Sequence, residues 1–362
     1  MKNDRILVYH LGSLGDTLVA LPALRAVREN FPLAHITLLT DLQSGKNRVQ
    51  CHDILEGSGL IDDYILYKID NSFLGKALYL LRMAKLLVVI RKRGIKTLIY
   101  LVRTEGNNPR IKRDKLFFIC SGIKKFIGMS GFTTPQAGTA SYPLPTIPHM
   151  SDQLLSRLTA SGLSVPPIVK SGQYLNISEE ERESVEKLLR HGNDDGGRLW
   201  IAIGPGSKMP AKVWPKERFR DLVQQLIDSH DIWPVVFGGD EDESLGRELL
   251  ASWGRGYLAA GTLNIRESMA ALERCSLYIG NDTGTLHMAA FMGVRCVGLY
   301  SARDYPGAWY PYGDDHVVLR HAVPCEGCML EECTENNMAC ILSTGVDDVY
   351  RAVVNCLNES TK

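Results

Sequence analysis

The sequence predicts an α/β protein built from two Rossmann-like, doubly wound domains, and three observations carry that prediction. Short β-rich runs alternate with amphipathic helical stretches from end to end, the rhythm of parallel sheets covered by helices. A chain of 362 residues exceeds what one hydrophobic core usually serves and suits two domains. The rhythm pauses at Ser164-Val165-Pro166-Pro167 and then restarts. These place one domain over 1–165 and a second over 166–345. In the closing segment, 346–362, a helix is expected to pack back across the first domain.

In order along the chain, strands are expected near 5–10, 35–40, 63–67, 97–101 and 125–128, with helices near 15–30, 73–93 and 151–162. Arg5-Ile6-Leu7-Val8-Tyr9-His10 is a short apolar run ending at a glycine turn, the start of a strand-to-helix unit. The stretch 129–150 carries Pro135, Pro143, Pro145 and Pro148 and reads as extended or looping. Ser178-Glu179-Glu180-Glu181 has capping-box spacing and opens a helix to about His191, and Asn193-Asp194-Asp195-Gly196-Gly197 is a turn. The second domain follows as strand 199–203, helix 215–229, strand 232–237, helix 241–252, helix 266–273, strand 276–280, helix 284–292 and strand 295–299. A final helix covers about 346–357.

Composition narrows the class. Apolar residues make up 45% and charged residues 23%, ordinary for a globular protein and far from disordered or fibrous chains. The most apolar stretch, Leu78 to Ile90, is broken by Arg82 and Lys85 and is shorter than the ~20 residues of a membrane-spanning helix. No leader pattern precedes the first strand, so a cytoplasmic location is expected, and the nine cysteines read as reduced thiols. The formal net charge of zero conceals an asymmetry. Residues 1–160 hold 22 Lys and Arg against 12 Asp and Glu, and residues 161–362 hold 19 against 29. A solvated face explains any single basic cluster, but the sum favours an anionic partner for the first half.

Four loops carry the candidate chemistry, each after a strand. Leu11-Gly12-Ser13-Leu14-Gly15-Asp16-Thr17 lets backbone approach a bound group and sets Asp16 at a helix start, although it lacks the third glycine of a dinucleotide fingerprint. A plain helix cap is the simpler role for Asp16. Gly204-Pro205-Gly206-Ser207-Lys208, followed by Lys212-Val213-Trp214-Pro215, combines glycines, two lysines and a helix N-terminus, an anion site suited to a diphosphate. Gly280-Asn281-Asp282-Thr283-Gly284-Thr285-Leu286-His287 opens a helix whose free N–H groups face an anion, with His287 one turn on. Gly238-Gly239-Asp240-Glu241-Asp242-Glu243 offers a carboxylate either to a ribose or to its own helix dipole.

At these loops the sequence resembles the ADP-heptose:lipopolysaccharide heptosyltransferases, glycosyltransferase family nine. Ile6-Leu7-Val8, Gly15-Asp16, Leu18 and Leu21-Pro22-Ala23-Leu24 are similar to that family's opening. Lys212-Val213-Trp214-Pro215 matches its lysine before a tryptophan–proline pair, and Asp282-Thr283-Gly284 with His287 matches its D-S/T-G-x-x-H signature. The resemblance implies a GT-B fold, two domains facing a cleft, and a metal-independent, inverting transfer of a sugar from a nucleotide diphosphate such as ADP-heptose, with no cofactor required. It implies Asp16 as the base that takes the acceptor's proton. Gly15, Ser207, Lys212, Asp282, Thr283, Gly284 and His287 are implied as donor-binding residues, with Asp240, or Glu241 or Glu243 in its place, at the nucleoside end. The acceptor would be a lipopolysaccharide-core or lipid-linked surface glycan. Peripheral contact with the inner membrane is expected, and nucleic acid is not a partner.

Two other readings stand beside the transferase: a sugar-nucleotide epimerase of the same fold, and a non-catalytic partner in glycan assembly. The tail departs from the resemblance. Cys325, Cys328, Cys333 and Cys340 have one C-x-x-C pair and could hold a metal, although the spacing is not that of a two-knuckle site, and reduced thiols in a compact loop are the expected reading. Tyr300-Ser301-Ala302-Arg303-Asp304 is expected to line the cleft, and the aromatics Tyr305, Trp309, Tyr310 and Tyr312 either stack on a sugar or base or pack within a surface loop.

Overall fold

A computed structural model describes residues 4–42, 49–68, 73–103, 108–132, 142–165, 174–190 and 196–360. The chain divides into two compact units, one of 1–138 with 150–169 and one of 139–149 with 170–362.

In the first unit the described elements are β1 (Arg5–Tyr9), α1 (Leu14–Asn30), β2 (His35–Leu42), α2 (Cys51–Leu55), β3 (Asp63–Lys68), α3 (Phe73–Lys92), β4 (Thr97–Tyr100), α4 (Pro109–Cys120), β5 (Lys125–Ile127) and α5 (Met150–Thr159). The five strands pair in parallel in the order β3-β2-β1-β4-β5. Strand order reverses between β1 and β4, and the loops leaving those two strands flank the place where such sheets bind ligands. The central strand is buried along Ile6-Leu7-Val8-Tyr9, as a strand covered on both faces must be. Leu86 and Ile90 of α3 and Phe118 of α4 pack with Leu7, Leu98 and Tyr100 into one core.

α5 closes this unit from a distance in sequence. Ser151 Oγ donates to the Val19 carbonyl at 2.8 Å. The buried guanidinium of Arg157 donates to the carbonyls of Tyr100, Val102 and Gly128. Those carbonyls lie where β4 and β5 end, so one side chain satisfies groups that the sheet leaves open.

The second unit contains α6 (Glu179–Arg190), β6 (Trp200–Gly204), α7 (Lys216–His230), β7 (Trp233–Val236), α8 (Glu243–Trp253), β8 (Tyr257–Leu258), α9 (Ile265–Glu273), β9 (Leu277–Asn281), α10 (Gly284–Phe291), β10 (Cys296–Tyr300), β11 (Val317–Arg320), α11 (Ala339–Leu342) and α12 (Val346–Ser360). Its six parallel strands run β11-β10-β9-β6-β7-β8, and the order reverses between β6 and β9. The core gathers Ile201, Ile203, Trp214, Phe219, Ile279 and Leu299. α6 docks on α9 through Arg266, whose guanidinium donates to both oxygens of Glu181 at 2.8 and 2.9 Å, pulling that carboxyl down to about 2.

Two boundaries differ from the sequence reading. The stretch 139–149 groups with the second unit, ahead of the break expected at 165. Ile147 N donates to the Pro306 carbonyl at 2.9 Å, the His149 ring packs on Tyr312 at 4.8 Å, and Leu144 N donates to Glu326. The final helix, expected as a segment apart from the second domain, groups with the second unit. Val349, Val353, Cys356 and Leu357 of α12 sit in the second core, and α12 packs against α7, β9 and β10. An amphipathic helix goes where its apolar stripe is covered, and α7 supplies the cover.

Candidate active site

The loop after β1 is shaped by glycine and aspartate together. Gly12 has φ +137°, and a Cβ there would lie 2.3 Å from the Cβ of Asp16. Only glycine allows the Asp16 side chain to fold back over the turn. Asp16 Oδ2 accepts from Ser13 N at 3.0 Å and from Ser13 Oγ at 3.2 Å, closing the first turn of α1. The capping role is therefore real. The carboxylate is half-buried, and its second oxygen has no hydrogen-bond partner among the described residues.

Beneath this loop lies a pair that the sequence gives no reason to single out. His10 is buried, with Nδ1 at 3.4 Å from the Leu101 carbonyl. Cys51 is buried with Sγ at 3.1 Å from Thr17 Oγ1 and 3.4 Å from Thr40 Oγ1. Burial disfavours the charged form of each, yet they face one another. Cys51 and Asp16 raise the affinity of His10 for a proton, while His10 draws the Cys51 thiol below its ordinary value. Thr17 ties the pair to the loop, since its hydroxyl also donates to the Ser13 carbonyl at 3.0 Å.

In the second unit the loops after β6 and β9 meet at the switch point. Gly204 and Gly280 are there because the strands and Tyr278 leave no room. A Cβ on Gly204 would sit 1.7 Å from the Tyr278 hydroxyl, and one on Gly280 would sit 2.5 Å from the Gly204 carbonyl. Asn281 stitches the loops, donating to the Pro205 carbonyl at 2.7 Å and accepting from Trp214 N at 3.0 Å. Trp214 Nε1 in turn donates to the Thr344 carbonyl at 2.9 Å.

This scaffold presents a buried ion network. Lys212 Nζ lies 2.5 Å from Asp282 Oδ2 and 3.5 Å from Asp304 Oδ2. His287 Nε2 is 3.7 Å from the other Asp282 oxygen, and its Nδ1 has no hydrogen-bond partner among the described residues. Arg303 completes the set, donating to Asp304 at 2.6 Å and to the carbonyls of Met329 and Leu330, also at 2.6 Å. Burial pushes the Asp282 carboxyl up, but Lys212 and His287 outweigh it and hold it below the ordinary value. Two of the three Lys212 protons face carboxylates, which leaves one for a ligand oxygen.

Thr283 occupies the N-cap position of α10 beside this network and its side chain makes no capping hydrogen bond, so the open N–H groups of the first helical turn add partial positive charge. Tyr278 OH, Thr285 Oγ1 and Thr283 Oγ1 form a hydroxyl chain at 2.7 and 2.9 Å along the same edge. The arrangement can bind a polyanion. Four donor-side candidates, Lys212, Asp282, Thr283 and His287, are brought together, with Gly284 opening the helix. Ser207 is turned to its own loop, accepting from Met209 N at 3.2 Å, and Gly15 lies in the first turn of α1.

At the third glycine loop Asp240 is exposed in a short turn, and Glu241 reaches Lys208 at 3.7 Å. The carboxylate that enters the glycine loop is Asp242, which accepts from Gly239 N at 3.0 Å. Its Oδ1 would be 1.9 Å from a Cβ on Gly206. Burial raises the Asp242 carboxyl above its ordinary value. Asp304 and Arg303 are the other unforeseen participants in the network, arriving from the loop after β10. Among the described residues no three His, Cys, Asp or Glu side chains are arranged to hold a metal ion, Cys325, Cys328, Cys333 and Cys340 included.

Comparison with known proteins bears on the family and the fold. The profile of Glycosyltransferase family 9 (heptosyltransferase) matches residues 155–339, just over half of the chain. Lipopolysaccharide heptosyltransferase 2 of Escherichia coli is 32% identical over 111 residues, which is 28% of this chain and 31% of that protein. The alignment thus spans about a third of the length of that relative. A family 9 glycosyl transferase from Veillonella parvula superposes with a TM-score of 0.72 at 23% identity, covering 99% of this chain and 98% of the other. E. coli ADP-heptose LPS heptosyltransferase II gives 0.69 at 19% identity, covering 99% and 100%. These likenesses establish the GT-B type fold, with its two parallel-sheet α/β domains. The switch-point loops, the family signature lying within the matched region and the shared fold lead to one assignment: the chain belongs to glycosyltransferase family 9, the heptosyltransferases.

Proposed function

We propose that this protein transfers a sugar, heptose by family precedent, from a nucleotide diphosphate donor such as ADP-heptose to a lipopolysaccharide-core or related glycan acceptor. The observation that carries the reading is the Lys212–Asp282–Asp304–His287 network beside the N-terminus of α10. Preorganised cations and helix N–H groups are what a departing diphosphate requires, because its charge grows as the glycosidic bond breaks. Lys212 contributes its remaining proton to a diphosphate oxygen, and the Thr283–Gly284 amides contribute theirs.

The chemistry is a single displacement. The acceptor oxygen attacks the anomeric carbon while the bond to the diphosphate opens on the far side, which inverts the centre. The acceptor's proton passes to Asp16, whose unbonded oxygen is available for it. The nucleoside diphosphate leaves with the bonding electrons. Lysine and helix dipole take the charge that a divalent cation would otherwise carry, so the step is metal-independent. Asp242, rather than Asp240, is the carboxylate assigned to the nucleoside end, because it borders the Gly206 loop.

The test uses the purified full chain. ADP-heptose and UDP- and GDP-sugars are compared by melting shift, since a ligand bound to the native state raises the transition temperature by mass action. The chosen donor is then incubated with and without a glycan acceptor. A shift with ADP-heptose and a product only when acceptor is present support the transferase. An epimerised nucleotide sugar formed from donor alone would overturn it, and silence across the whole nucleotide panel would point to a non-catalytic role.

A further inference from the structure

Four cysteines are buried: Cys51 at the start of α2, and Cys275, Cys296 and Cys356. The last three behave as small apolar groups. Cys275 Sγ donates to the Ala271 carbonyl at 3.5 Å and Cys296 Sγ to the Val294 carbonyl at 3.2 Å, so both keep their protons. Burial pushes all three thiols up. Burial acts on Cys51 as well, but His10 outweighs it and draws this thiol down. The Cys51 sulfur also meets two hydroxyls, Thr17 Oγ1 at 3.1 Å and Thr40 Oγ1 at 3.4 Å, and lies 3.9 Å from the Gly12 carbonyl.

The protons around His10 account for the difference. His10 Nδ1 lies 3.4 Å from the Leu101 carbonyl, which can only accept, so the hydrogen of a neutral ring sits on Nδ1. Nε2 is then a bare lone pair on a side chain only 2% exposed, with no hydrogen-bond partner of ordinary geometry among the described residues. An acceptor buried in that way needs a donor. The side chain that faces it is Cys51, whose proton can stay on sulfur or pass to the ring. Passing it creates an ion pair that is neutral as a whole, and the Thr40 hydroxyl can donate to the thiolate. Three further titratable groups surround the pair: Asp16 of α1, Asp41 of β2, which accepts from Gly12 N at 3.4 Å, and Tyr64 of β3. None of the three is a cation, so these surroundings favour the charged ring.

Its place in the fold gives the pair a role. Cys51 approaches both ends of the turn that carries Asp16, Gly12 through its carbonyl and Thr17 through its hydroxyl. Thr17 in turn donates to the Ser13 carbonyl at 3.0 Å, and Ser13 N and Oγ hold the Asp16 carboxylate. His10 stands two residues before Gly12, directly after β1. We infer that His10 and Cys51 are positioning residues for sugar transfer, sharing one proton beneath the 12–17 turn and thereby fixing where the Asp16 carboxylate meets the acceptor. This rests on the reading of Asp16 as the base in the proposed transfer and names what holds that base in place.

The experiment follows the full chain by two readouts. The first needs no substrate: the ultraviolet absorbance of thiolate is titrated against pH, and the difference between the parent and Cys51→Ser isolates this one sulfur. A thiolate step well below that of a free thiol is expected, and His10→Asn should move it up by at least about one pH unit. The second readout is the pH profile of kcat for sugar transfer. Cys51→Ala should lower kcat about ten- to hundredfold while KM and the nucleotide melting shift stay near those of the parent, because a misplaced base costs rate rather than binding. Cys51→Ser should recover most of that rate, since its hydroxyl still donates to Nε2. It should also abolish the fall in kcat that the parent shows as rising pH strips the shared proton, because serine does not ionise there. A residue that merely fills space would allow the recovery and leave the profile unchanged. The inference is overturned by a Cys51→Ala rate within about twofold of the parent, by the same alkaline fall in Cys51→Ser, or by the lack of a thiolate step from Cys51. Should Cys51→Ala fail to fold, Cys51→Ser and His10→Asn decide it by the same profile and titration. A parent that makes no product, or Asp16→Ala that turns over like the parent, removes the reading of Asp16 as base and the positioning role with it, whereas the absorbance step still decides whether the proton is shared.

Discussion

Two strand-to-helix turns each carry an aspartate, and the fold treats the two residues oppositely. Asp16 is half-buried, held by its own helix cap, and keeps one oxygen unbonded among the described residues. Asp282 is buried, with Lys212 on one oxygen and His287 near the other. A group that exchanges a proton needs access and a lone pair to spare. A group that stores charge for a ligand needs partners and a dry setting, where each pairing is worth more than in water. The same motif type, a glycine turn with an acidic residue, thus leaves a carboxylate oxygen open in one unit and pairs the carboxylate with buried cations in the other.

The largest effect that separates them is on turnover. Asp16→Ala should lower sugar transfer by about two to four orders of magnitude and leave the nucleotide melting shift nearly intact. Loss of the cap costs about 1 kcal/mol of stability, visible in the same melting curves. Turnover close to the parent value would strip Asp16 of its role and equate the two aspartates.

The next effect is on stability and falls on the other unit. Lys212→Met leaves Asp282 and Asp304 without their shared cation, and removing one partner of a buried pair costs about 3–5 kcal/mol. A denaturant midpoint measures this. Adding Asp282→Leu to that variant should recover much of the loss without recovering nucleotide binding, because the pair is replaceable as packing and irreplaceable as charge. A double variant that still binds nucleotide would show that the network is structural only.

Gly12→Ala should come third. The substituted residue would be strained at φ +137° and would meet the Asp16 side chain, at a cost of about 1–3 kcal/mol. Because the clash displaces the carboxylate, turnover should fall further than the melting temperature suggests. A variant with ordinary stability and full turnover would show that the loop does not depend on this close approach.

The smallest effect is a pH slope. Burial, then repulsion from His287, lowers His149 to about 3. The unfolded chain, with an ordinary imidazole near 6.5, binds a proton between those limits that the native state refuses. Stability therefore falls as pH drops through that window, by about 1 kcal/mol per pH unit at most. His149→Phe should flatten this part of the denaturation profile. An unchanged slope would mean that His149 takes up a proton as readily in the native state as in the unfolded chain.

Much of the fold could be read from the chain. The strands at 5–9, 35–42, 63–68, 97–100 and 125–127 lie within a residue or two of the expected places, because each is a short apolar run ending in a turn. α4 was not expected, since Lys112-Arg113-Asp114-Lys115 hides its apolar side, and β8, only two residues long, has too little length to show a period. In the site, Lys212, Asp282, Thr283 and His287 were marked by their glycine-bearing loops. Asp242 is not distinguished from Asp240 in the sequence, because four acidic residues in a row carry no sign of which one turns toward Gly206. Asp304 and Arg303 sit in a stretch that the sequence assigns to the cleft, but nothing in it marks them as part of an ion network.

By itself the sequence determined the α/β rhythm, the two domains and the loops at the ends of the strands, because these follow from local periodicity and from glycines that only particular turns require. Tertiary structure alone decided that Lys212 lies between two carboxylates, that His10 and Cys51 share a buried space under the Asp16 turn, and that α12 belongs to the second core. The physical reason is the same in each case. Burial and charge pairing are set by residues that meet across different strands, and no local pattern encodes which distant side chain will arrive.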